Sequence, residues 1–281
     1  MPIGIIIGLT LREAGRRKVL WGLLILTLAF LALYGLGLSF VHDRIVESGG
    51  LPRGLRFFTV EAIYNFWLMT ALYSANFLIV MMAVLTSIDT LAGEIASGTI
   101  QSIAVKPLHR RDILLGKWLG FALMLGVYAA LLVGGVIGVT ALISGYTPPN
   151  PLSGFGLMFL EGLVLLSVSL LGGTRLSTLA NGVLGFGLFG VAFIGGWIEQ
   201  IGSFPGVGSD AAVTLGHIAS LLMPSEALWR RASMEMSQGL SLIPSPFTTF
   251  STPEPGVAVY AIAFAGLASL LAMLSFQRRD L

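Results

Sequence analysis

The sequence predicts an all-α polytopic membrane protein with six transmembrane helices. To these it adds an N-terminal interfacial helix, a short cytoplasmic amphipathic helix and an extracytoplasmic helical cap. Three observations carry the prediction. Hydrophobic residues make up 55% of the 281 positions and charged ones only 11%, against about a quarter charged in soluble domains, and the mean hydropathy is +0.89. The apolar residues fall into six runs, each long enough to cross a bilayer as a helix of about 20 residues. The basic residues gather at the ends of those runs. Such clustering sets topology and is not a nucleic-acid footprint, despite a sequence pI near 9.1. Cysteine is absent, which excludes disulfides and thiolate metal sites.

Taken in order, residues 1–18 place an apolar run ahead of Arg16, Arg17 and Lys18. A cleavable signal has the opposite polarity, so this segment reads as a helix lying on the cytoplasmic leaflet, its basic end near lipid phosphates. The first span is 19–41, followed by a glycine- and proline-marked loop at 42–66. The second span, 67–88, opens on Trp67 at the interface where aromatic residues belong. A polar connection, 89–112, leads to the third span, 113–143. Pro148, Pro149 and Pro151 turn the chain into the fourth span, 152–171, and the glycine pair at 172–173 links it tightly to the fifth, 178–198. Segment 202–255 is too polar to cross. Within it a helical pattern over 211–236 is interrupted at Pro224, Ser225 offers a cap for a second helix, and 241–255 reads as a Pro/Ser/Thr loop. This segment suits a cap over an exit path, a surface connector or a docking site for an extracytoplasmic protein. The sixth span is 256–276, and the whole of 1–281 reads as a single transmembrane domain.

Six spans put both termini on one side. Arg12, Arg16, Arg17, Lys18, Lys106, Arg110, Arg111, Lys117, Arg175, Arg278 and Arg279 then share that side. Arg44, Arg53, Arg56, Arg230 and Arg231 fall opposite, a bias of about two to one that places the termini in the cytoplasm.

Catalytic and metal signatures are missing. There is no G-x-x-x-x-G-K phosphate loop, no H-E-x-x-H and no G-x-S-x-G elbow. His42, His109 and His217 lie in three separate segments, and Met234 and Met236, flanking Glu235, read as apolar fillers. No catalytic or metal-ligating residue is therefore assigned, and the chain is not expected to be an enzyme. Glu161, inside the fourth span, is the clearest ionisable residue at membrane depth, suited to lining a pathway or packing across an interface. Glu199 and Asp89 lie near span ends, where solvation is expected. The Gly116/Gly120 and Gly134/Gly138 pairs, with Gly182, Gly185, Gly187 and Gly190, allow close helix approach in lipid.

The most structured polar stretch is 94–117. Helical spacing sorts Glu94, Ser97 and Gln101 onto one face and Ala96, Ile100, Ile103 and Ala104 onto the other. Pro107 stops that helix, and a new one starts around Arg110. Glu94, then Ser97-Gly98-Thr99-Ile100, then Lys106-Pro107 with Arg110 behind, then Gly116-Lys117 opening an apolar helix, resembles the first cytoplasmic loop of ABC-2 type permeases. The pattern departs at His109, where that family more often has a small hydroxyl residue. The resemblance implies a coupling helix that docks on a separate ATPase subunit, through Glu94, Ser97, Gly98, Thr99, Gln101, Pro107, Arg110 and Lys117. It implies a permease of an ATP-driven exporter in the inner membrane, dimeric or paired with a second permease, served by two ATPase copies. ATP and magnesium would bind on that partner and no cofactor in this chain, while lipid surrounds it and nucleic acid plays no part. The residues leave open an ATP-independent carrier or channel, or the membrane component of an extracytoplasmic maturation system.

Overall fold

The computed structural model describes residues 2–16, 18–47, 50, 58–96, 110–203, 208–237, 251 and 253–278. These form nine helices and, among the described residues, no strand: α1 (Pro2–Arg16), α2 (Lys18–Glu47), α3 (Val60–Ala96), α4 (Arg110–Ser144), α5 (Pro151–Gly173), α6 (Thr178–Gly202), α7 (Asp210–Leu222), α8 (Ser225–Ser237) and α9 (Gly256–Gln277). Six of them, α2 to α6 and α9, are long and apolar enough to span a membrane. Each expected apolar run lies inside one of these six.

The helices outrun the apolar windows. Segment 42–66 is not all loop, since α2 continues to Glu47 and α3 begins at Val60. The two extensions meet where His42 Nδ1 lies 2.8 Å from the Tyr64 hydroxyl. At its other end α3 does not break after the second span but runs on to Ala96. With 37 residues at 1.5 Å rise each, it measures about 55 Å, well over the bilayer core. Backbone hydrogen bonding does not stop at a membrane edge, and no proline interrupts this stretch.

Helix α5 is the centre of the bundle, packed by α3, α4, α6, α8 and α9. Its C-terminal half is buried almost residue by residue from Val164 to Gly173. Small residues let the neighbours in. A Cβ on Gly162 would sit 2.7 Å from Leu125 of α4, and one on Gly185 would sit 3.0 Å from Val84 of α3. Helix α1 is seated by the first glycine pair of α4. A Cβ on Gly116 would come within 2.7 Å of Ile6, and one on Gly120 within 2.9 Å of Thr10. Ala14 joins a cluster with Leu114, Phe121, Leu166, Leu170 and Phe276, while Ile5 and Leu9 stay exposed on the opposite side of α1.

Helices α7 and α8 form a hairpin bent by 104° at Met223-Pro224, where the proline was expected to interrupt the pattern. The pair qualifies together as a broken span or a re-entrant loop. Helix α7 lies along α6 through Gly195 against Ala219 and Gly202 against Ala212. Helix α8 is buried along most of its length, with Leu228, Trp229, Arg230 and Ala232 in the interior and Met236 over Gly154 of α5. The second half of the cap, α8, is thus sunk into the bundle, a placement its polar composition did not foresee, while α7 keeps Leu215, Ile218, Leu221 and Leu222 exposed.

Candidate functional site

The bundle has a basic end, carrying α1, the C-terminus of α3, the N-terminus of α4 and the C-terminus of α9, and a hairpin end. At the basic end, Glu94 lies in the last turn of α3 and Arg110 opens α4. Ser97, Gly98, Thr99, Gln101 and Pro107 lie outside the described residues, as do the side chains of Glu94 and Arg110. Lys117 is buried on α4, two turns along from Arg110.

Towards this end of the bundle α3 is tied to its neighbours. The Thr178 hydroxyl donates to Asp89 Oδ1 at 2.9 Å. Asn181 Nδ2, on the fully buried Asn181 side chain, donates to the carbonyls of Ile88 at 3.1 Å and Ser169 at 2.9 Å. One amide therefore joins α3, α5 and α6. Ser177 caps α6 by accepting the Ala180 amide, and Thr174 and Arg175 both donate to Ser275 Oγ of α9 at 2.9 Å. A cavity of about 400 Å³ lies beside this clamp, lined by Ala14, Lys18, Leu85, Thr86 and Asp89 among others. Asp89 is exposed here, as its position predicts.

The hairpin end holds a polar cluster drawn from segments that the sequence keeps apart. Glu199 is not solvated. It is buried on α6 and paired with the buried Arg230 of α8, Nη1 to Oε1 at 2.7 Å and Nη2 to Oε2 at 2.9 Å. The Ser251 hydroxyl also donates to it, and His217 Nε2 of α7 lies 3.4 Å away. This one carboxylate joins α6, α7, α8 and the stretch of chain entering α9. A bidentate guanidinium–carboxylate pair is the arrangement that best offsets the cost of burying both charges. Beside it opens a cavity of about 580 Å³, lined by Glu199, His217, Arg230, Ser251, Glu254 and Tyr260 among others.

Deeper in, Glu161 is 0% exposed. Neither of its oxygens has a hydrogen-bond partner among the described residues. Asn76 of α3 lies beside it, and Glu226, at the start of α8, lies within electrostatic range. Tyr73 faces both carboxylates, accepts the Trp197 indole N–H at 3.2 Å and stacks edge-on with Trp229, ring centres 5.2 Å apart. On its other side, Tyr73 lines an apolar cavity of about 410 Å³ with Leu26, Phe30, Phe77 and Phe193. No group of three His, Cys, Asp or Glu side chains among the described residues is placed to hold a metal ion. Met236 is buried while Met234 points outward, so the two do not converge.

A family profile described as ABC-2 family transporter protein matches residues 5–281, nearly the whole chain and all six spans. The chain belongs to the ABC-2 transporter family. It is a multi-pass membrane protein and the membrane component of an ABC transporter, a class that generally pairs with an ABC ATPase subunit and is not itself catalytic. No curated protein matches the chain.

Proposed function

We propose that this ABC-2 family member is the permease subunit of an ATP-driven exporter, docked through 94–107 onto a separate ATPase chain. Two copies of it work with two ATPases, in the inner membrane with both termini in the cytoplasm. ATP and magnesium bind on the ATPase. The observation that carries this reading is the unbroken α3. Its last turn holds Glu94, Asn181 clamps it to α5 and α6 near that end, and its other half carries Tyr73 against Trp229 of the hairpin and Asn76 beside Glu161 of α5. A displacement imposed at Glu94 by closure of an ATPase pair reaches the hairpin through one rigid element. Coupling needs such an element with two arrangements that both sites bias.

The test is reconstitution with the cognate ATPase. Glu94→Ala and Ile100→Asp should insert normally yet lose either ATPase co-purification or the coupling of hydrolysis to transport. Full coupled transport by both variants would count against docking through this loop. A carrier without ATP gains one specific observation, the second buried carboxylate beside Glu161. Movement of solute by the chain alone in nucleotide-free liposomes would favour it.

A further inference from the structure

The buried groups around Glu161 lack one component. Its two oxygens and Asn76 Oδ1 are all acceptors, all buried, and none has a donor in hydrogen-bond geometry among the described residues, although the Asn76 side chain lies within reach of the carboxyl. Asn76 is 4% exposed, so solvent does not satisfy it. Glu226 brings a second carboxylate from the hairpin, its stem pressed so close to α6 that a Cβ on Gly196 would lie 2.2 Å from Glu226 Cγ.

Among the described residues, the neighbouring helices supply no free cation. From α8, Arg230 spends both terminal nitrogens on Glu199 of α6, which leaves its Nε without a partner among the described residues and its charge within range of Glu226 but shared with Glu199. From α3 comes the neutral Tyr73, already bonded to Trp197. On α4 the Tyr128 hydroxyl is turned to Thr27 of α2, and Lys117 lies toward the basic end. On α9 the Tyr260 hydroxyl donates to the Leu221 carbonyl. His217 of α7 is 64% exposed and faces Glu199. Ionised, Glu226 would have only the Arg230 charge within range and Glu161 only the Asn76 amide, little to set against the desolvation of two carboxylates in this interior, and in lipid an intramembrane carboxylate is a functional group by default.

We propose that Glu161, Asn76 and Glu226 form a proton-binding site at the seam between α5 and the α7–α8 hairpin. A proton on Glu161 turns an acceptor into the missing donor. The carboxyl O–H can bond Asn76 Oδ1, and the other carboxyl oxygen can take an amide N–H. A metal cation fits less well, because hard cations need six or more oxygen ligands and three suitable acidic or histidine side chains are not gathered among the described residues. Glu161 rides on the central helix and Glu226 on the hairpin, so any outward movement of the hairpin changes the field at the proton. Its binding is thereby linked to hairpin position.

The experiment uses the purified full-length chain in lipid nanodiscs and needs no ATPase, so its outcome is independent of the permease reading. The infrared difference spectrum on raising the pH should contain the C=O stretch of a buried protonated carboxyl. Glu161→Gln should abolish that band, and Glu226→Gln should shift it. Thermal unfolding should agree. The wild-type chain loses stability as pH rises, while Glu161→Gln, which mimics the protonated form, melts higher than wild type at alkaline pH and the same at acid pH. Should Glu161→Gln fail to insert, Asn76→Leu probes the same bond by moving the band toward that of a non-hydrogen-bonded carboxyl. An absent band, or one unchanged in these variants, overturns the proposal. So does a band displaced at fixed pH by sodium, potassium or calcium, which would assign the site to a metal cation.

Discussion

At the scale of single residues, the decisive contacts are charges that the chain hides in pairs. Glu199 and Arg230 are 31 residues apart, and removing one partner leaves the other buried and uncompensated. Arg230→Met is expected to destabilise the protein by about 3–5 kcal/mol, read as a large drop in thermal unfolding temperature. The double replacement Glu199→Gln with Arg230→Met should recover most of that loss, and equal damage by single and double variants would refute the pairing argument. The sequence pointed to Glu161 because an ionisable residue in an apolar run is conspicuous. It did not point to Glu226, Arg230 or Asn76. The first two sit in a helix whose composition resembles a solvated surface, and an asparagine in a span carries no charge to flag it. Glu199 departs from its expected solvation for a related reason. Its distance from the run's end predicts solvent, but the hairpin that covers it comes from a different part of the chain.

At the scale of elements, hydropathy located every long helix but not its ends. The windows close where polar residues begin, whereas α2 and α3 go on hydrogen-bonding their backbones past that point. The proline rule did better, placing the α7–α8 bend at Pro224, because proline acts through the backbone whatever the environment. The glycine pairs were legible as close-approach sites, yet their partners were not. Gly116 and Gly120 receive α1, an element of the same chain. That assignment predicts a local effect. Gly116→Leu, whose side chain would run into Ile6, should lift α1 off α4 while the α3–α5 core keeps its packing. The chain has no cysteine, so Ile6→Cys is a clean reporter. Its 7% exposure predicts slow maleimide labelling in the parent and labelling faster by at least tenfold with Gly116→Leu, since a site freed by more than about 1.4 kcal/mol shifts its opening equilibrium by that factor. Equal rates would mean that α1 is not held there.

At the scale of the whole molecule, what is left unpacked is as informative as what is buried. Helix α6 uses one side, with Asn181, Gly185, Phe189, Ala192, Gly196 and Glu199, to join the bundle. Its opposite side presents Val183, Gly187, Gly190, Ile194 and Ile198 at helical spacing, with the valine and isoleucines exposed. A Cβ at Gly187 or Gly190 would meet nothing within 4 Å. In lipid, helices associate through packing against small residues and not through hydrophobic drive, so a glycine pair facing outward has room for a close neighbour. If two copies pair through this face, Gly187→Leu with Gly190→Leu should convert the dimer to monomer in size-exclusion with light scattering. The monomer's own thermal unfolding should barely change, because the added side chains clash with nothing inside it. Gly185→Leu is the control. It would strike Val84 within the bundle, so it should lower the unfolding temperature whether or not the chains associate. A dimer that survives the outward pair would leave this face to lipid and move the subunit contact elsewhere, to α2 or to the equally open Gly134/Gly138 pair of α4.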